Sequence, residues 1–303
     1  MPIDPHHRVL AMGTAEGRQR HHRHRRPRRV GRTLLAILLA MGLVGGGLYA
    51  AIHVIGLNQV TVTPKCTALV GGTLHTLSPD QAANAAVIAA TATRRGQPTR
   101  AATIGIATAM QESKLTNIDY GDNAGPDSRG LFQQRPSMGW GTQEQVMDAH
   151  YAADRFFQEL ETFDYGSMAL TDAAQKVQRS AYPQAYAKHE EKAAAFASPL
   201  TGASPSTLNC TLRQSDKPGS AKALAADFTA TTGQQAEVLE DNRVRIKVSG
   251  KAGWAVAQWA VATAAQHGSE SVSYAGLVWN RSDAGWVPAA TTDGYVVITL
   301  GGA

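Results

Sequence analysis

Twenty consecutive residues without a charge, Thr33 to Ile52, constrain this 303-residue chain more than any other feature. As a helix rising about 1.5 Å per residue they span roughly 30 Å, the hydrocarbon thickness of a bilayer. Residues 1–57 also hold nine Arg, no Lys and only two acids, Asp4 and Glu16. Positive charge on the N-side predicts a single-pass anchor whose N-terminus stays cytoplasmic and whose C-terminal bulk is extracytoplasmic. A cleaved signal peptide is the alternative, but the residues around Tyr49-Ala50-Ala51 supply no good small pair at −3 and −1. The expected layout is a disordered basic cytoplasmic tail over 1–32, a transmembrane helix over 33–56 and a tether over 57–77. The tract His21-His22-Arg23-His24 reads as part of a polybasic tail on anionic lipid, with metal binding as the alternative.

The basic tail accounts for the pI near 9.3. Residues 58–303 hold 20 basic and 22 acidic residues, so the exported part is nearly neutral. Nothing there suggests a nucleic-acid surface. The two cysteines, Cys66 and Cys210, would both face an oxidising compartment, which favours a disulfide over two free thiols. No His-x-x-x-His pair occurs among the four histidines after residue 58, and neither a metal nor a cofactor is implied.

Helices are expected over 78–96, from an N-cap at Ser78 with Pro79 at the first helical position, and from after Pro98 to about Ser113. Residues 114–142, rich in Gly, Asp, Asn, Pro and Ser, read as a structured loop. Further helices are expected over 143–161, 169–179 and 182–197. Residues 198–220 read as a linker. Beyond it, Val244, Ile246 and Val248 alternate with charged residues as in a half-buried strand. A helix over 253–267 and strands over 271–279 and 295–300 complete a small α/β domain, 221–303.

The second helix is apolar or small almost throughout and ends Gln111-Glu112-Ser113. A carboxyl at the end of a buried helix loses solvation, which raises its pKa and suits a general acid. Downstream come Tyr120-Gly-Asp122, Gly130-Leu-Phe-Gln133-Gln-Arg-Pro136, Trp140, Asp148-Ala-His-Tyr151 and Val177-Gln-Arg-Ser180. This ordered set, over 78–197, resembles the lysozyme-like lytic transglycosylases, in particular an actinobacterial membrane-anchored or secreted type. The resemblance implies a mainly α lysozyme-like domain that cleaves peptidoglycan glycan strands at MurNAc–GlcNAc bonds. Glu112 takes the place of the catalytic acid/base. Ser113 matches the residue positioning glycan or glutamate. Gln133 matches the cleft glutamine, and Gly130 the residue allowing close backbone approach to sugar; Phe132 lies between them. The family's Ala-Tyr-Asn-Ala-Gly motif is missing, and Gln178, Ser180 and Tyr182 are candidates for its role.

Tyr120, Trp140 and Tyr151 are candidates to stack on sugar faces, with core packing as the alternative, favoured for Tyr151. Asp119, Asp122 and Asp127 are the candidate second carboxylates a hydrolase would need. Residues Gly253–Ala262, Val272–Trp279 and Gly285-Trp286 resemble a degenerate D,D-peptidase-like module without metal ligands; a small α/β domain of separate role is the alternative. The fold class expected is therefore α+β: a lysozyme-like domain and a small α/β domain after one transmembrane helix. The function expected is lytic transglycosylase or muramidase activity, against the alternative of an inactive cell-wall-binding membrane protein. Peptidoglycan and the membrane are the expected partners, and the sequence names no divisome or secretion partner.

Overall fold

The computed structural model describes residues 28–57, 63–123, 125–179, 184–216, 218–283 and 285–302, in two units. The first contains helix α1 (Arg28–Leu57). Its segment Gly31–Ala50 has a mean hydropathy of 2.0 and none of it is buried, so it is long and apolar enough to cross a bilayer. The helix begins five residues before the expected start at 33; residues 1–27 of the basic tail lie outside the described residues.

The second unit is α+β. It opens with strands β1 (Lys65–Val70) and β2 (Thr73–Leu77), where a tether was expected. Gly71 and Gly72, both at positive φ, make the tight turn between them. Helix α2 (Pro79–Arg94) starts as expected: Ser78 and Gln81 form a reciprocal capping box and Pro79 opens the helix. Helix α3 (Thr99–Ser113) is buried from Ala101 to Met110 without a break. Its small residues let neighbours approach on every side: at Gly105 a methyl group would lie 2.9 Å from Ile88 and 3.0 Å from Phe157.

The helix expected over 143–161 is two, α4 (Gln143–Met147) and α5 (Ala149–Leu160), broken at Asp148. Asp148 leaves the helical conformation and its carboxylate accepts the amides of His150 and Tyr151, starting a new helix. The break frees the carbonyl of Met147 to accept from Asn117 at 2.7 Å. Helices α6 (Leu170–Gln178) and α7 (Glu190–Leu200) complete the helical part.

The segment expected as a linker is packed. It carries the end of α7 and strand β3 (Leu208–Thr211), which pairs with β1 so that Cys66 lies opposite Cys210 and the two are disulfide-bonded. Beyond it come α8 (Ala221–Thr232), β4 (Glu237–Val238), β5 (Arg243–Lys247), α9 (Gly250–Ala262) and α10 (Ala264–His267). Strands β6 (Ser269–Tyr274), β7 (Leu277–Asn280), β8 (Trp286–Pro288) and β9 (Tyr295–Leu300) finish the chain. The single strand expected over 271–279 is the β6–β7 hairpin, turned by Ala275 and Gly276 at positive φ. The larger sheet is antiparallel in the order β4-β5-β9-β6-β7-β8.

Gln258, on α9 and fully buried, joins the two parts. Its amide donates to the carbonyls of Pro199 and Ser204 at 2.9 and 3.0 Å and accepts the amides of Thr207 and Leu208, each at 3.0 Å. Trp279 and Trp286 donate to the carbonyls of Cys210 and Leu208, each at 3.0 Å. His150 of α5 and His267 of α10 flank the Asp227 carboxylate of α8, with contacts of 3.3 and 3.0 Å. Replacing Gln258 with Ala leaves four backbone groups, two of them buried, without this partner. We expect a loss of about 2–4 kcal/mol in denaturant unfolding; a change below about 0.5 kcal/mol would mean the join is held elsewhere.

Candidate functional site

Glu112 occupies the last turn of α3, where a cleft of about 870 Å³ opens. The helix cannot continue: Lys114 and Leu115 both adopt positive φ, and Leu115 bonds back to the Ala109 carbonyl at 3.0 Å. Side chains of α2 cap the exposed end, Gln81 donating to the Lys114 carbonyl and Asn84 to that of Leu115, each at 2.8 Å. The backbone carrying Glu112 is therefore fixed from both sides.

The carboxyl is half-buried. Tyr186, itself fully buried, donates its hydroxyl to Glu112 Oε1 at 2.6 Å. The Gln178 amide is a second hydrogen-bond partner, and it is anchored through a 2.7 Å bond to the Phe132 carbonyl. Burial raises the Glu112 pKa above the ordinary carboxylate value. The bonds from Tyr186 and Gln178 act against that rise, and the charge of Asp122 adds to it.

Of the residues nominated from the sequence, Glu112, Tyr120, Gln133, Trp140 and Gln178 line this cleft. Tyr120 is widely exposed there, and Trp140 carries the Arg155 guanidinium 5.6 Å from its ring centre. Gln133 sits at positive φ in a tight loop and its amide folds onto the Gly130 carbonyl. Ser180 and Tyr182 lie outside the described residues.

Four nominated residues make contacts within the fold. Ser113 is buried and donates to the Leu131 carbonyl at 2.7 Å, pinning the Gly130–Gln133 loop to the end of α3. Gly130, at φ +80°, faces protein: a methyl group there would lie 2.1 Å from the Val146 carbonyl oxygen. Phe132 is fully buried and stacks on Phe156 at 4.6 Å, because its neighbours on α5 form the core. Tyr151 packs beside Gly141, where a methyl group would meet its hydroxyl at 2.7 Å.

The three candidate second carboxylates divide. Asp127 is held well below the usual carboxylate range by the Ser137 backbone and side chain and by Arg135, which pairs with it at 2.8 Å. Asp122 lines the cleft and accepts the Gly125 amide at 2.8 Å. Asp119 is exposed and does not line the cleft. The sequence reading missed Tyr186, four residues beyond Tyr182, and the polar face of α5 that brings Arg155 and Glu159 to the cleft. Among the described residues no group of three His, Cys, Asp or Glu side chains is arranged to hold a metal.

Two expected outcomes follow from this geometry. Gly130→Ala forces a clash on a left-handed backbone and should cost at least about 1–3 kcal/mol, read by thermal and denaturant unfolding. For Glu112, the folded protein holds the carboxyl proton more tightly than the unfolded chain does. Stability from that proton is full below the unfolded-state pKa and is lost as pH rises through the raised folded value. Glu112→Gln should therefore be more stable than wild type at pH 8, with the gap closing near pH 4. An equal gap at both pH values would contradict the burial argument. No protein-family model matches the chain, and no curated protein matches it at a significant level.

Proposed function

We propose that this is a membrane-anchored, lysozyme-like enzyme that cleaves peptidoglycan glycan strands, most simply as a lytic transglycosylase. One observation carries the reading: a half-buried glutamic acid, held by Tyr186 and Gln178, stands in a cleft of about 870 Å³ with its pKa raised. A neutral carboxylic acid at working pH is what a glycosidic oxygen needs as proton donor.

In this reading Glu112 gives its proton to the oxygen leaving from C1 of N-acetylmuramic acid. The C1–O bond breaks with the electron pair going to that oxygen. The carboxylate then takes the proton of the sugar's own 6-hydroxyl as that oxygen bonds to C1, which restores the acid and leaves a 1,6-anhydro end. Tyr186 steadies the carboxylate between the two steps by donating to it. Asp127 is committed to Arg135 and Ser137, which favours chemistry with a single carboxylate over a hydrolase pair. Trp140 and Tyr120 supply stacking faces for sugar rings.

The Arg-rich N-side of α1 favours an anchor with the cytoplasm on the tail side, so that the second unit meets the cell wall. The Cys66–Cys210 disulfide fits an extracytoplasmic compartment. The C-terminal part serves in this reading as a non-catalytic accessory, resembling a degenerate D,D-peptidase-like module.

The test is digestion of purified peptidoglycan by the full-length protein in non-ionic detergent, with products read by mass spectrometry. Muropeptides with 1,6-anhydro ends are expected, falling at least about 100-fold in Glu112→Gln. Reducing ends instead would indicate attack by water and direct attention to Asp122. Sedimentation with insoluble peptidoglycan without any released product would leave a wall-binding protein and overturn the enzymatic reading.

A further inference from the structure

The small sheet turns one face inward and one outward. Cys66 and Ala68 of β1 and Leu77 of β2 are buried. The alternate positions are Lys65, Thr67 and Leu69 on β1 with Leu74 and Thr76 on β2. These are exposed or half-buried, and none of the five is acidic. Leu69 and Leu74 stand directly opposite each other in the β1–β2 register, 48% and 61% exposed. The Cβ atoms of such a pair lie about 5 Å apart, so the two side chains make one apolar surface. They are the only exposed leucines among the described residues of the second unit. Its other exposed large apolar residues are placed differently. Tyr120 and Met138 line the cleft, and Val238 and Val287 lie on the two opposite edge strands of the larger sheet. A single exposed aliphatic is ordinary, whereas a paired apolar surface on a projection points to something that covers it.

The pair is carried on such a projection. A methyl group at Gly71 or Gly72, which turn the hairpin, would meet nothing within 4 Å, and every residue from Gly71 to Leu74 is exposed. No Asp, Glu, Lys or Arg occurs from Thr67 to Leu77. His75, the one titratable side chain in that stretch, turns to Glu191 of α7 at 3.4 Å. This tip can therefore leave water without stripping a charge. The covalent chain limits what it can meet. Eight residue steps separate Leu57, the last residue of α1, from Lys65, the first of β1. Fully stretched, they reach no more than about 29 Å. With α1 in a bilayer, β1 starts within that reach of its surface.

We infer that the β1–β2 hairpin is a second membrane contact, its outward face lying on the bilayer that α1 crosses, with Leu69 and Leu74 in the headgroup layer and the Lys65 ammonium on lipid phosphate. The inference rests on the membrane anchor proposed above and is independent of the chemistry at Glu112. β2 is the free edge of its sheet, so its outward amides need water. The depth reached is therefore that of the interface and not of the hydrocarbon core. Leucine gains there by leaving water, and a lysine keeps its charge among anionic headgroups while its stem lies along apolar surface. A second contact limits how the exported unit can turn on its anchor.

The test uses the full-length protein in vesicles of phosphatidylethanolamine and phosphatidylglycerol, with a diazirine-bearing photo-crosslinking amino acid in place of Leu74. Irradiation should leave a phospholipid adduct, read by mass spectrometry, on the peptide containing position 74. The same amino acid in place of Val287 should give none, and in place of Leu39 it reports on α1. Leu69→Thr keeps a residue that suits a strand, and its side chain is exposed, so circular dichroism should be unchanged. That substitution should lower the lipid adduct at position 74 by about threefold.

A probe at position 74 quenched by water alone would overturn the contact. A covalent dimer there would overturn it in favour of a second copy of the chain, and a yield unchanged by Leu69→Thr would overturn the paired surface. The probe at Leu39 keeps the anchor separate. A lipid adduct there with none at position 74 sinks the hairpin contact alone. A lipid adduct at position 74 with none at Leu39 sinks the anchor and leaves the hairpin as the site that meets lipid.

Discussion

Helix α3 has no solvated face, and the remainder of the second unit is arranged around that fact. A helix of small and apolar residues gains stability only when neighbours cover it on all sides. α2, α5, α6 and α7 supply that cover, and the close approach at Gly105 shows how little room they leave. Beyond its first two residues, α3 meets solvent-accessible space at its C-terminal turn. That is where Glu112 stands, so the burial that holds the helix also sets the acidity of its last carboxyl. Packing and chemistry have the same origin here.

Much of this was legible in advance. The capping box at Ser78 and the length of α3 follow from residue types alone, and so did the expectation that a carboxyl at the end of a buried helix would be hard to ionise. What the sequence left open at Ser113, Gly130 and Phe132 is which way each residue faces. A motif names residues and does not say which way they face, and all three turn inward to build the loop that frames the cleft. The packed character of 65–77 and 198–220 was also hidden. Each strand there is four to six residues long, and β1 gains its partner β3 only from the far end of the helical part. The Gly71-Gly72 pair between Val70 and Thr73 was a local signal for a hairpin.

The seam between the helical part and the larger sheet is polar at its centre and aromatic around it. Gln258 satisfies four backbone groups at once, and the indoles of Trp279 and Trp286 reach across to the carbonyls of β3. Directional bonds of this kind fix orientation more strictly than apolar contact does. They hold β3 in a fixed position relative to the sheet beyond it, which is why these residues behave as part of one unit and not as a hinge between two.

The pairing of Cys66 with Cys210 across 144 residues has a consequence for the order in which the protein can be made. A ribosome releases β1 long before β3, so for most of synthesis β1 has a hairpin partner on one edge and none on the other. The second edge and its thiol wait until α2 through α7 have emerged. The β1–β3 pairing is a sequence-distant contact, and such contacts form late and prolong the exposure of an unpaired strand. A chain interrupted before residue 210 would keep every residue of α3 and still lack the strand and the bond that close the unit around it.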